Sequence, residues 1–478
     1  MNPSNARPKF DAVISDIARY VDSYEIDSAL ARETVHHCLI DSLGCAFEAL
    51  AYPECTRLLG PVVPGTIVPG GARVPGTPHV LDPVQAAFNF SALIRWLDYN
   101  DAFTGRTVIH PSDCIGGILA AADWWSRTRA SRGQPPLTMG EVLDLVIKAY
   151  EVMGGLAEEN AFTAEMGLDH VLLVKLGCAA AVTKMLGGTR EEIANAVSNA
   201  WIDGHTLATF RRKPNSGSRK SWAAADAASR GVWLALLALK GEMGYPSALT
   251  AKTWGFYDVL NRGKPLGFQR PYGTHVVENV QFKVSYPAAF HAQTAAEAAI
   301  GLHAEVKDRL ADIDRVELWS HGYGLGILSK TGPLHNFADR DHCLQYVAAI
   351  GLIFGRLEPE DYGDAVAADP RIDALRDRMT VSEDPAYTQG FRSPEKRSNA
   401  NAIRVHFKDG TATRRHAVEY PVGHPRRRRE GGPLLLRKFE FNVARAYAER
   451  QRQRVLALCL DRKKLEALPV HRFMDELV

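Results

Sequence analysis

Apolar residues recur at helical spacing from about residue 11 to 60, as in the stretch 31–50, and two packed helices are the simplest reading. A Gly/Pro/Val-rich connection over 61–78 follows. The segment 83–96 then reads as a helix with Pro83 in its first turn, where a missing N–H costs nothing. It runs into a polar stretch over 97–113. Helical periodicity dominates from there to about 242, in the Ala- and Leu-rich segments 115–125, 138–157, 171–186, 190–202 and 222–239. Several are apolar nearly all round, which predicts central helices of a large bundle rather than surface ones.

The texture changes after about 277. The run 315–320 is short and alternating, and 403–407 leads into Lys408-Asp-Gly-Thr411 and then toward Tyr420. Alternation around an Asp-Gly turn predicts a hairpin. The expected fold is therefore mainly α: a large all-helical bundle domain over 1–276 and a smaller α+β lid domain over 277–420. The segment 434–468 returns to helix and is expected to pack back, so that 421–478 completes the first domain. A chain of 478 residues exceeds the size at which one core stops growing, which agrees with two domains.

Composition narrows the function classes. Apolar residues make up 46% and charged ones 23%, the balance of a folded globular protein. With 57 basic against 55 acidic residues the net charge is +2, so no global field draws the chain to nucleic acid or membrane and any anion binding must be local. The seven cysteines are scattered and never form a Cys-x-x-Cys pair, which reads as buried thiols in a reducing compartment and argues against an iron–sulfur cluster. Residues 1–10 lack an apolar stretch behind their positive charge, and no apolar run reaches the roughly 18 residues of a membrane span. A soluble cytoplasmic protein is expected.

Four polar constellations interrupt this packing-dominated sequence. Trp96-Leu-Asp98-Tyr-Asn-Asp101 and His110-Pro-Ser-Asp113 put carboxylates and an imidazole on one connection between helices, although Asp113 could simply cap the helix near 115. Gly167-Leu-Asp-His170 precedes the apolar helix at 171. There His170 could serve acid–base chemistry or merely fill a first turn. The stretch 211–220 packs five cations into ten residues around Asn215, Ser216, Gly217 and Ser218, suited to gripping carboxylates or to a solvated loop. Lys283 and His291 lie where helical texture gives way to strand texture, and clefts between domains favour ligands. No His-x-x-x-His or His-Glu-x-x-His pair supports a zinc site. Gly322-Tyr-Gly-Leu-Gly326 lacks the dinucleotide spacing, and Arg426 to Arg429 reads as a solvated or dimer-contacting cluster.

From near residue 10 to near 475 the chain resembles the MmgE/PrpD family of 2-methylcitrate dehydratases. The resemblance rests on 81–89, His110-Pro-Ser-Asp113, Gly167-Leu-Asp-His-Val-Leu-Leu-Val-Lys175, Arg219-Lys-Ser-Trp-Ala-Ala224, 241–250, 254–258 and Ala338-Asp-Arg-Asp-His342. It implies a helical domain, an α+β lid, a site between them and a homodimer. The implied activity is removal of water from 2-methylcitrate or a longer-chain 2-alkylcitrate, a small-molecule tricarboxylate, with no metal or organic cofactor. Decarboxylation of cis-aconitate, epimerisation of a small dicarboxylate and non-catalytic polycarboxylate binding are the competing readings. The resemblance carries Asp98, His110, His170, Lys220 and Lys283 over as catalytic positions. Arg211, Asn215, Arg219, His291 and Asp101 are added as substrate-binding candidates.

Dehydration needs a base for the proton α to a carboxylate, cations for the charge that develops there, and an acid for the leaving hydroxide. In this reading Lys220 and Lys283, with Arg219 and Arg211 nearby, hold and polarise the substrate carboxylates, while His110 and His170 divide the acid and base roles and Asp98 sets the charge and tautomer of its neighbour. The loop 102–109 and residues Met153, Ala208 and Gly322 depart from the family pattern toward less polar side chains, which would suit a longer alkyl group if that loop lines the pocket.

Overall fold

The computed structural model describes residues 5–478. Its organising element is the helix Val171–Met185, in which every residue except Lys184 is buried. With no polar face to turn toward water, it must be wrapped, and the helices Met139–Glu159, Arg190–Ile202 and Arg219–Leu239 pack around it. Helix starts are set by side-chain caps: Thr138 with Glu141 and Thr189 with Glu192 form capping boxes, and Asp82 accepts from the N–H groups of Val84 and Gln85 ahead of Pro83–Arg95.

Both helices expected over 11–60 form, as Ala12–Ser23 and Ala29–Ala49, but their packing partners lie elsewhere. Ala12–Ser23 lies on Arg190–Ile202 and Val171–Met185, whereas Ala29–Ala49 packs on Pro83–Arg95 and on Arg428–Ala446 from the C-terminal tail. The reason is that Ala29–Ala49 is buried on almost every side, and one neighbour cannot cover it. The tail thus closes the first core, with Phe439 set against Gly44.

A second core lies between a four-stranded sheet and the helices Gln293–Val306 and Leu344–Phe354. Strand order is Met379–Glu383, Ile313–Ser320, Asn401–Phe407, His416–Val418. The first pair is parallel and the others antiparallel. Val316, Leu318, Ile403 and Val405 are buried in this core, as alternation requires. The Asp-Gly turn is present, with Gly410 at φ 83 and Asp409 Oδ1 accepting from the Thr411 N–H.

The chain passes from the first core to the second between Val284 and Ala288 rather than near 277. The segment 276–284 has lost helical periodicity but still buries Val276, Val280 and Phe282 in the first core, so texture and packing change at different places. Gly423 crosses this junction so tightly that a Cβ would fall 1.8 Å from the Phe282 carbonyl oxygen. Among the described residues no helix is long and apolar enough to cross a membrane, and all seven cysteines are buried and unpaired.

Candidate active site

Pro83–Arg95 ends with two unusual features. Arg95 turns inward and is 1% exposed, and Asp98 follows in the left-handed region at φ 50, a conformation that costs a non-glycine residue energy and gathers at functional sites. The strained turn aims the Asp98 carboxylate into a buried cluster of cations and imidazoles. Lys283 Nζ donates to Asp98 Oδ1 and to its carbonyl, both at 2.5 Å. Arg95 donates to the same Oδ1. Lys220, from the first turn of Arg219–Leu239, stands 3.7 Å from Asp98 Oδ2 and donates to Asp341 Oδ2 at 2.5 Å.

Two imidazoles flank this carboxylate. His110 Nε2 is 3.9 Å from Asp98 Oδ1 and His342 Nε2 is 3.8 Å from Oδ2. Each ring is held by its other nitrogen, His110 Nδ1 against the Asp101 carbonyl at 2.6 Å and His342 Nδ1 against Asp341 Oδ1 at 2.7 Å. Nδ1 therefore carries the hydrogen on His110, where its partner is a carbonyl, and the Nε2 lone pair is left toward the cluster. His170 lies one ring further, 5.4 Å from His110, with Nδ1 3.4 Å from Asp169 and Nε2 3.6 Å from Asp113.

Burial and charge act in opposition here. Burial alone would raise the Asp98 carboxyl, but Arg95, Lys283 and Lys220 outweigh it and hold the group well below the usual carboxylate range. Burial pulls Lys283 down to about 8, aided by Arg95 and Lys220 and opposed by Asp98. His110 is driven well below an ordinary histidine by burial, then by Arg95 and Lys283. His342 falls to about 4 through burial and Lys220. The site thus holds a fixed anion, a lysine near neutrality and uncharged imidazoles.

Asp98, His110, Lys220 and Lys283 come together in this way, with His170 behind His110. The binding candidates divide. Arg211 is committed to Asp169 at 2.6 Å and so braces His170 from behind. Asp101 accepts from Ser112 Oγ at 2.6 Å and from Tyr150 at 2.9 Å, and its carbonyl holds His110, so it shapes the loop. Asn215 and Arg219 line a shallow outer groove with His205 and Asp226. Arg219 stacks over Trp222 at 4.3 Å. Successive helix residues point about 100° apart, so Lys220 and Arg219 cannot share a face. His291 is buried beside His321, Tyr323 and Phe391.

Arg95, Asp341 and His342 complete the cluster and were not among the candidates. Arg95 is the one cation in an apolar helix, which was a usable signal. Asp341 and His342 lie within the family-like segment 338–342, but nothing local ties them to Asp98. Carboxylate oxygens of Asp98 and Asp341 and a ring nitrogen of His342 lie within 4.8 Å of one another, a spacing that could suit a cation. The Lys220 ammonium already contacts both carboxylates, so positive charge is supplied there by the chain itself. A cleft of about 570 Å³ between the two cores, walled by Trp96, Leu97 and Ser218 on one side and Phe337 and Arg340 on the other, reaches Asp341.

The divergent loop 102–109 lies against the end of Met139–Glu159. Thr107 N–H donates to the Ala157 carbonyl at 3.1 Å, Ala102 bridges Gln281, and Phe103 sits under the Arg397 guanidinium at 5.1 Å. These contacts hold the loop between the end of Met139–Glu159 and Gln281, and none of residues 102–109 lines the cleft that reaches Asp341. In the arginine run, Arg427 pairs with Glu297 and Glu430. Arg428 turns inward over Phe282 to the carbonyls of Glu278 and Val280, so these two are internal ties and not a solvated cluster.

The MmgE/PrpD N-terminal domain model matches residues 15–269 and the C-terminal domain model residues 286–462. The chain is 58% identical to the 2-methylcitrate dehydratase of Cupriavidus necator, over 99% of this chain and 98% of that protein. It is 56% identical to that of Escherichia coli strain K12 over the same shares. It is 52% identical to the mitochondrial 2-methylcitrate dehydratase of Yarrowia lipolytica, over 95% of this chain and 88% of that one. A two-domain match with relatives this close along almost the whole length has one reading: the chain belongs to the MmgE/PrpD family.

Proposed function

We propose that this chain is a hydro-lyase that dehydrates 2-methylcitrate to the corresponding cis-aconitate derivative. The observation that carries the chemistry is the buried Asp98 carboxylate gripped by Lys283, Arg95 and Lys220 between the Nε2 atoms of His110 and His342. Relatives with identities of 52–58% are all named for this dehydration, which favours it over decarboxylation, epimerisation or simple binding.

In this reading Lys220, bonded to Asp341 where the cleft ends, takes a substrate carboxylate and stabilises charge developing on it. His110 Nε2, uncharged and with its hydrogen on Nδ1, accepts the α-proton. The C–O bond breaks toward oxygen, and Lys283, at about 8, gives a proton to the departing hydroxide, so that water leaves. Asp98 Oδ1, 2.5 Å from Lys283 and 3.9 Å from His110, returns the proton from imidazolium to amine. The balance is one C–H and one C–O bond broken, one C=C formed and one water released.

The test is turnover of 2-methylcitrate followed by ultraviolet absorbance of the conjugated product and by mass spectrometry, with carbon dioxide monitored. Conjugated product without carbon dioxide, lost in His110→Ala and Lys283→Ala, is expected. Carbon dioxide release, or full activity in both variants, would overturn the reading. Longer 2-alkylcitrates belong in the same assay, because loop 102–109, joined directly to His110, is less polar than the family pattern, which would show as tolerance of a longer chain. A homodimer is part of the proposal, and light scattering at twice the 52.5 kDa chain mass tests it.

A further inference from the structure

Lys438 is a buried lysine that the chemistry above does not use. It comes from the tail helix Arg428–Ala446, and its side chain is 4% exposed. Its ammonium donates to Asp41 Oδ1 at 2.7 Å, to the Tyr99 carbonyl at 2.8 Å and to the Lys283 carbonyl at 3.0 Å, and it sits 3.6 Å above the Tyr99 ring. An ammonium has three N–H donors and all three are engaged, so none is left for substrate.

Two of the acceptors are informative. Tyr99 directly follows Asp98, the residue held at φ 50, and the Lys283 carbonyl belongs to the very residue whose amine grips Asp98. These two segments share no strand pairing at that point, the nearest bridge being Ala102 with Gln281. Asp41, on Ala29–Ala49, anchors the third donor. Burial alone would lower the amine, but Asp41 and its neighbours raise it above an ordinary lysine, while burial holds the Asp41 carboxyl above the usual carboxylate range despite Lys438.

We propose that Lys438 is a positioning residue that sets the Asp98–Lys283 contact from behind, tying the two backbones that carry the reacting pair to one point of the helical core. The tail therefore has a part in the reaction as well as in packing. A guanidinium is planar and cannot place three donors tetrahedrally, so arginine keeps the charge but not the geometry.

This inference rests on the reading that Asp98 and Lys283 act in dehydration, and the experiment separates the two. Wild type and Lys283→Ala test that reading alone. Lys438→Arg, Lys438→Met and Asp41→Asn are then compared for kcat, KM, melting temperature and the alkaline limb of the kcat/KM profile. In Lys438→Arg we expect kcat per folded enzyme to fall at least about tenfold with KM changed less than about threefold, and the alkaline limb to move from its wild-type position. If Lys438→Met does not fold, the arginine and asparagine variants decide. Unchanged kcat and limb, or a fall in melting temperature with the limb in place, would reduce Lys438 to a packing residue.

Discussion

Asp98 concentrates the energetic risk of the site. It is the shared anion of Arg95, Lys283 and Lys220, and removing one partner of a buried charge cluster leaves the others uncompensated, at a cost of about 3–5 kcal/mol. Asp98→Asn is therefore expected to lose stability on that scale in urea titrations and to lower kcat by about 10² to 10⁴. The sign of the pH effect is fixed. A carboxyl held below its unfolded value stabilises the fold above that unfolded value, about 3.9, and the contribution is lost as pH falls through the folded value. Wild type should shed stability below about pH 4 more steeply than Asp98→Asn. Lys283 governs the other side of neutrality. Its ammonium is the proton donor, so turnover should fall as pH rises through about 8, and the acid limb should lie well below 6.5, where His110 gains a proton. Lys283→Arg keeps a charge that persists beyond pH 12 but cannot yield it. Its residual rate should stay flat through the pH range in which wild type declines, and a limb still near 8 would assign that titration to another group.

Elements, more than residues, were legible from the chain. The predominantly apolar segment at 171 could only be a central helix, and the Asp-Gly turn after 403–407 could only join antiparallel strands. What periodicity could not settle was phase at an end: Arg219–Leu239 begins three residues before the predicted 222, and that shift puts Lys220 inside and Arg219 outside. Packing partners were equally invisible, since the pattern on Ala29–Ala49 says that it is buried but not that residues 428–446 bury it. His342 could not be linked to Asp98 for the same reason, as their proximity depends on how two cores meet. Gly423 makes this dependence testable. A Cβ there would strike the Phe282 carbonyl, whose residue's N–H donates to the Gly423 carbonyl at 3.0 Å. Gly423→Ala should cost about 2–4 kcal/mol, and because Phe282 adjoins Lys283, kcat should fall in the protein that remains folded. A melting temperature equal to wild type would show that the junction has slack.

At the scale of the whole molecule the two cores meet through charge. Lys220 reaches Asp341, Lys330 reaches Ser216 at 3.0 Å, Arg397 reaches Glu158 at 2.8 Å, and Arg445 bridges Glu48 and Glu360. Around the site the cations Arg95, Lys220, Lys283 and Arg211 face the carboxyl groups of Asp98, Asp113, Asp169 and Asp341, four against four. A tricarboxylate that enters such a balanced, buried cluster brings negative charge that no idle cation of the cluster offsets. In a low-dielectric site that imbalance is expensive. The cheapest compensation is protonation of the uncharged imidazoles His342 and His291, whose depressed values reflect burial and nearby positive charge that an arriving anion would offset, while His110 must stay neutral to act as base. Binding should therefore take up protons, about one or two per substrate near pH 7 by linkage. Titration calorimetry of the slow Lys283→Arg variant, which keeps the four-against-four balance, with 2-methylcitrate in buffers of different ionisation enthalpy reads that number directly. Heats that do not depend on the buffer would mean that the trianion is neutralised by cations from outside this cluster, and the balanced site would then have to open before it could bind.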